Sequence, residues 1–451
     1  MTRLRGCLGF GLGLLTTVIA TGASAAPAAA PALLGHQVPL ELDGAGTAWL
    51  ATSTALVLLM TLPGLALFYG GMVRRKNVIA TITQSVGVFA VATLVWFVAG
   101  YSIAFGKAGG LGGYPADTVN QFIGSFDSIF LNGVGMETAH SLLPGIPEFV
   151  FLSFQMTFAI ITPALVTGAF AERLKYTGLL LFTALWSLLV YAPIAHWVWG
   201  GGFLGGAGVL DFAGGAVVHV NSGVAGLVCA LFLGARKGYG KEPITAHNPV
   251  LTMIGASLLL VGWIGFNAGS AGGANALAGV ALVNTILAAA AASITWKIVE
   301  VIEKKKASLI GVLSGIVAGL VAITPAAGFV DPKGAVLIGL IAGPVCYASS
   351  VWIKKLLRYD DSLDAFGIHG AGGLAGALLT GVFASTAINS LSEGANVMTQ
   401  LIGLGWTIAY SAVGTLIILI ICKFTTGLRV SPAAEEEGLD THLHGEALES
   451  V

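Results

Sequence analysis

The sequence is short of charge. Of its 451 residues only 10% are Asp, Glu, Lys or Arg, 21 basic against 22 acidic, whereas 56% are hydrophobic. An average soluble domain is about 25% charged, so this chain cannot cover a water-facing surface of its size. A soluble enzyme, a disordered chain and a nucleic-acid-binding protein are excluded together. Cysteine is also scarce. Cys7 lies near the N-terminus, and Cys229, Cys346 and Cys422 fall in separate apolar stretches without metal-ligand spacing. Neither a disulfide framework nor a metal site is expected, and no cofactor is implied. Glycine is abundant instead, with 64 residues. In a membrane protein that abundance reads as close helix packing.

Residues 1–25 carry Arg3 and Arg5, then an apolar run from Cys7 to Ala20, then Ala23-Ser24-Ala25. That order of basic, apolar and small residues is expected of a cleavable secretory signal; the alternative is an uncleaved extra helix. Residues 26–46 read as an outer spacer. Beyond it the charges form islands between apolar stretches at about 47–73, 77–106, 149–171, 176–200, 212–235, 248–296, 307–330, 334–353, 365–392 and 394–422. The 248–296 stretch is too long for one span and carries a Gly/Ala/Asn-rich break at 269–275, so it reads as two. The expectation is an all-α polytopic membrane protein with eleven transmembrane helices over 47–428, followed by a tail at 429–451.

Lysine and arginine set the orientation. If the first span begins outside, seventeen basic residues fall on inner segments and only Lys107 and Lys333 on outer ones. The N-terminus is therefore expected outside and the tail in the cytoplasm, in a cytoplasmic (inner) membrane.

Two segments align without gaps. His219-Val-Asn-Ser-Gly-Val-Ala-Gly226 lies on the fifth expected helix and His369-Gly-Ala-Gly-Gly-Leu-Ala-Gly376 on the tenth. Gly64-x-x-x-Phe68 is echoed by Gly262-x-x-x-Phe266, and Ile161-Thr-Pro-Ala164 by Ile323-Thr-Pro-Ala326. Each pairing matches helix n with helix n+5. A repeat of five helices (about 47–235 and 248–392) inserts its second half upside down, leaving one extra helix at the end. Inverted repeats of this kind place a transport pathway at their interface, near the membrane midplane.

That interface would bring His219 and His369 face to face. An ionisable ring inside a membrane is costly and is a functional hypothesis by default. Each neutral imidazole has one donor and one acceptor nitrogen, so two facing rings can share a proton and offer their outer nitrogens to a passing molecule. A purely structural tie between two helices is the alternative; metal or haem ligation lacks an accompanying carboxylate or Cys. His196 reads as an interfacial or packing residue, and Trp197 as part of the aromatic belt at the membrane interface. Trp199, before three glycines, could hold a small cation at a pore mouth by cation–π attraction, about 0.5–2 kcal/mol, with Ser270 as a hydrogen-bond acceptor. Phe158 and Phe266 are candidate gating rings with ordinary packing as the alternative, and Phe154, Trp263 and Thr324 are pore-lining candidates. Asp211, just before the fifth helix, suits an N-cap or a cation ligand. Glu435 to Glu449 reads, on composition alone, as a solvated acidic tail.

Moving a bare ion into hydrocarbon costs on the order of tens of kcal/mol in the Born limit, and no ring of charged residues is present to offset it. An apolar path with two neutral imidazoles suits a small neutral molecule with donors and acceptors. A cationic substrate would have to shed a proton near the mouth.

These residues resemble the Amt/Mep/Rh ammonium transporter family in its bacterial Amt branch. The resemblance is carried by Asp211-Phe-Ala-Gly-Gly-Ala-Val-Val-His219, Phe154-Gln-Met-Thr-Phe158, Pro193-Ile-Ala-His-Trp-Val-Trp199-Gly-Gly-Gly, Phe266-Asn-Ala-Gly-Ser270 and Phe366-Gly-Ile-His369-Gly, with Phe68-Tyr-Gly-Gly and Gly438-Leu-Asp. It spans residue 47 to the C-terminus. It implies that Trp199, Phe158 and Ser270 form an ammonium recruitment site, that Phe158 and Phe266 form a gate above the twin histidines, and that Asp211 is structural. It also implies a homotrimer in membrane lipid, a transporter and not an enzyme, and a PII-type signalling protein at the cytoplasmic face. The tail departs from the family pattern at Leu448, where Tyr is frequent. A passive ammonia channel and an ammonium sensor signalling through the tail are the rival functions.

Overall fold

A computed structural model describes residues 33–107 and 116–448. The expected leader, the first part of the spacer and Glu449 lie outside the described residues. What is described is almost wholly helical. Ten helices are long and apolar enough to cross a membrane: α1 (Gly44–Met72), α2 (Arg75–Phe105), α3 (Glu148–Phe170), α4 (Tyr176–Gly206), α5 (Gly215–Leu233), α6 (Pro249–Gly269), α7 (Ala276–Lys304), α9 (Pro332–Leu357), α10 (Phe366–Phe383) and α11 (Val397–Thr425). A shorter apolar helix, α8 (Leu309–Ile323), stands at the eighth expected span. It stops just before Pro325, which has no N–H to continue the helix. The echo in α3 behaves differently, since that helix runs through Pro163. A two-stranded antiparallel sheet, β1 (Gln37–Pro39) with β2 (Thr138–His140), ties the first described residues to the α2–α3 connection.

Short polar side chains start most of these helices. Asp43, Asn248, Asn275, Ser308, Asp331 and Asn396 each accept a backbone N–H from the first turn of α1, α6, α7, α8, α9 and α11. Each satisfies a donor that the helix itself leaves unpaired. The ends of the spans are thus written in single residues, while their middles carry the apolar surface. Side chains such as Val413 and Ile417 on α11 and Ile294 and Ile298 on α7 remain exposed, as lipid-facing positions of a multi-pass membrane protein do.

Glycine supplies the close packing. On α5 a Cβ at Gly223 would stand 2.2 Å from the backbone nitrogen of Gly370 on α10. The equivalent Gly373 on α10 faces back toward the Gly215 carbonyl and the His219 Cβ, at 2.9 and 3.1 Å. The glycine four residues after each histidine in the repeat therefore marks where the two helices cross backbone to backbone. Gly255 does the same between α6 and α1, where a Cβ would lie 2.1 Å from the Phe68 nitrogen.

Candidate functional site

The crossing of α5 and α10 places His219 Nδ1 3.3 Å from His369 Nδ1, with ring centroids 5.3 Å apart and planes inclined by 21°. Both rings are buried. A contact between two Nδ1 atoms requires one to donate and the other to accept, so the neutral pair holds its rings in opposite tautomers. The outer nitrogen of His219, Nε2, has no partner. The two rings border a cavity of about 10 Å³ walled also by Leu259, Trp263, Phe266 and Val317, near the lower limit for a single water molecule.

Aromatic rings continue the path away from the pair. His219 stacks on Trp263 at 5.3 Å and tilts toward Phe266 at 5.9 Å. Phe266 stacks on Phe158 with centroids 4.3 Å apart, and both are buried. Phe158 meets the edge of Trp199 at 5.8 Å and of Phe154 at 5.0 Å. Beyond Phe158 a vestibule of about 330 Å³ opens, lined by Phe154, Gln155, Trp199, Phe212 and Ser270 among others. Trp199 is fixed there because its Nε1 donates to the Asp211 carbonyl at 2.8 Å, and Ser270 donates to the Phe266 carbonyl at 2.8 Å. Of the sequence-predicted residues, Trp199, Phe158, Ser270, Phe154, Phe266, Trp263, His219 and His369 thus line one path. Thr324 stands behind it, accepting the Trp263 Nε1 at 2.9 Å while donating to the Leu320 carbonyl at 2.7 Å.

The two alternatives for Asp211 separate on lone-pair arithmetic. Its carboxylate accepts the N–H groups of Gly214, Gly215, Ala216 and Val217 at 2.8, 2.5, 2.8 and 3.0 Å. A carboxylate has about four lone-pair sites, so none is left for a cation. Gly214, at φ +114°, makes the left-handed turn that brings the peptides round the carboxylate. The backbone then enters α5 through a π-helical turn in which the His219 N–H reaches the Gly214 carbonyl, five residues back. Such turns recur at functional sites.

Sequence reasoning missed the counterpart, Asp361. It accepts the N–H groups of Ala365 and Phe366 at 3.0 and 2.8 Å, capping α10 through a similar π-helical turn that carries His369. The signal was present, because Asp361 precedes His369 by the same interval that separates Asp211 from His219. His196 is buried with both ring nitrogens on carbonyl oxygens, of Ala104 and Asn120. Trp197 is nearly buried and donates to the Phe122 carbonyl. Phe203 and Tyr410 pack against its ring.

At the opposite end of the bundle a charged network lies beneath the path. Buried Glu172 pairs with Arg236 and Arg74, each at 2.9 Å, and Arg236 also pairs with Asp360 at 2.8 Å. Burial pushes the Glu172 and Asp360 carboxyls upward. The Arg236 guanidinium more than offsets this in both, joined by Arg74 at Glu172 and Arg173 at Asp360, so both lie below the usual carboxylate range.

The tail docks beside this network. Arg429 donates to the Leu233 and Ala235 carbonyls and pairs with Glu435, and the Val430 N–H meets the Arg173 carbonyl. Asp440 accepts the N–H groups of Ile79 and Ala80 at 3.1 and 2.8 Å, at the start of α2. Glu435 and Asp440 are each 2% exposed, so this stretch is not the solvated tail that composition predicts. Apart from the Arg429–Glu435 pair, its partners lie about 190 to 360 residues away in sequence. Among the described residues no cluster of His, Cys, Asp or Glu is arranged to hold a metal ion.

Comparison with known proteins accords with this geometry. The family model described as Ammonium Transporter Family matches residues 48–448. An "Ammonium transporter" of Aquifex aeolicus is 46% identical over 415 residues, covering 90% of this chain and 93% of the relative. The crystal structure of Saccharomyces cerevisiae Mep2 superposes with a TM-score of 0.78 at 35% identity, covering 87% of this chain and 88% of the other. A "Sensor Amt Protein" does so with a TM-score of 0.80 at 30% identity, covering 89% and 98%. The chain belongs to the ammonium transporter family.

Proposed function

We propose that this chain carries ammonium across the cytoplasmic membrane as ammonia and a separately relayed proton. The cation is recruited at the vestibule against Trp199, Phe158 and Ser270 and loses its proton there. Ammonia passes between Phe158 and Phe266 and then along His219 and His369. The observation that carries this reading is the continuous column of ring-to-ring contacts from Trp199 to His369. It has no charged side chain to compensate an ion, and a bare ion in such a medium is penalised by tens of kcal/mol in the Born limit. The His pair offers the alternating donor and acceptor that a proton hop requires. The vestibule faces outside and the tail lies in the cytoplasm, on the distribution of Lys and Arg.

Purified protein in proteoliposomes should give an inward current when ammonium is added outside, since each transported charge couples to the membrane potential by about 2.3 kcal/mol per 100 mV. Uptake without current would leave a passive ammonia channel. We further propose a homotrimer, with a PII-type protein binding at the tail end. Docking of Arg429, Glu435 and Asp440 beneath the path supports a coupling between tail and pore. A sensor reading is favoured by the likeness to the "Sensor Amt Protein". Growth of a transport-deficient host on low ammonium, with full-length and tail-deleted chains compared, separates sensing from uptake.

A further inference from the structure

Gln155 follows Phe154 on α3, and its side chain lines the vestibule beside Trp199, Phe212 and Ser270. Its amide oxygen is buried and meets no hydrogen-bond partner. Buried polar atoms in folded proteins nearly always have a partner, and an exception calls for an explanation, often a ligand or a bound water. Ser270 sharpens the point. Its hydroxyl proton is committed to the Phe266 carbonyl, so toward the vestibule it has only lone pairs to offer. Rotation of the Gln155 amide would turn that oxygen to the vestibule, where it and Ser270 would be two neutral acceptors beside the π-faces of aromatic rings, a set suited to a ligand that only donates and carries positive charge.

We propose that Gln155 is a hydrogen-bond acceptor for the recruited cation, acting with Ser270 to replace water lost at the mouth. In this role it favours cations by their number of N–H donors. Ammonium, with four N–H groups and no lone pair, can engage both acceptors and still face an aromatic ring. Methylammonium, with three, must turn its methyl group toward some part of the wall and so gains less from Gln155. This proposal rests on the ammonium reading above and adds to it a residue that sets selectivity.

The test is ammonium- and methylammonium-driven current in proteoliposomes containing the full chain, Gln155→Leu or Gln155→Glu. Gln155→Leu should raise the half-saturating ammonium concentration about tenfold, the value of one charge-assisted hydrogen bond. It should leave the maximal current within about twofold and shift methylammonium less than ammonium. Gln155→Glu, which keeps the shape and an acceptor, should stay at or below the half-saturation of the unsubstituted protein. An unchanged half-saturation in Gln155→Leu, or equal rises in both variants or for both substrates, overturns the acceptor role. Absence of any ammonium current from the unsubstituted protein instead overturns the underlying transport reading, and this proposal with it.

Discussion

Replacing Asp211 with Asn is the most informative single perturbation of the scaffold. The carboxylate collects four N–H groups, two on each oxygen. Asn keeps one oxygen and puts an NH₂ group where the other stood, so two acceptances are lost and two donors face a donor. Hydrogen bonds to a charged group are worth about 1.5–3 kcal/mol each, and a negative charge at a helix N-terminus adds about 0.3–1 kcal/mol. The expected destabilisation is therefore roughly 3–7 kcal/mol. Asp361→Asn disturbs only two N–H groups, and it should cost about half as much. The assay is thermal unfolding of the purified protein in one detergent, read beside transport in proteoliposomes. Asp211→Asn should unfold at clearly lower temperature than Asp361→Asn, and its flux should fall because the turn carrying His219 is loosened. If its unfolding temperature is unchanged while only the half-saturating ammonium concentration rises, Asp211 is a cation ligand and the lone-pair argument is wrong.

Three further outcomes follow from other contacts. Phe266→Ala removes one ring of the stacked pair, at a cost of about 3–5 kcal/mol for a buried Phe, and should admit water, seen as faster osmotic shrinkage of proteoliposomes. Trp263→Phe and Thr324→Val each break the same hydrogen bond; a double-mutant cycle on unfolding free energy should show coupling of about 1 kcal/mol. The charged network beneath the path should weaken only in strong acid. Because Glu172 and Asp360 are held below the ordinary carboxylate range, their stabilisation is complete above about pH 4 and is lost as the pH falls through their lowered values. The gap in unfolding temperature between the unsubstituted protein and Glu172→Gln, followed against pH, checks this, and a gap already closed at pH 6 would contradict it.

Much of the site was legible because its chemistry is carried by residue types that are rare in an apolar chain. His219 and His369 stood out in this way, and the glycine four residues after each marked a close crossing. Trp199 and Ser270 were legible from their positions at the ends of apolar stretches. What was not legible depends on contacts distant in sequence. Asp440 reads as tail composition until it is seen at the start of α2, and Glu172 reads as a loop charge until Arg236 is placed against it. Thr324 was expected in the pore lining but stands behind Trp263, its hydroxyl held between the Trp263 Nε1 and the Leu320 carbonyl. Asp361 could have been found, since it repeats the Asp211-to-His219 interval. It was hidden in a loop with Asp360 and Asp364, where composition gives no reason to choose one carboxylate over another.

The central claim is that the proton and ammonia part at the vestibule and that the proton crosses by way of the His pair. Its most direct test is the ratio of ammonium-driven current to ammonium uptake in proteoliposomes, for the unsubstituted protein and for His219→Ala. The account predicts about one charge per ammonium taken up in the unsubstituted protein, and loss of that current in His219→Ala. An undiminished ammonium-driven current in His219→Ala would contradict it.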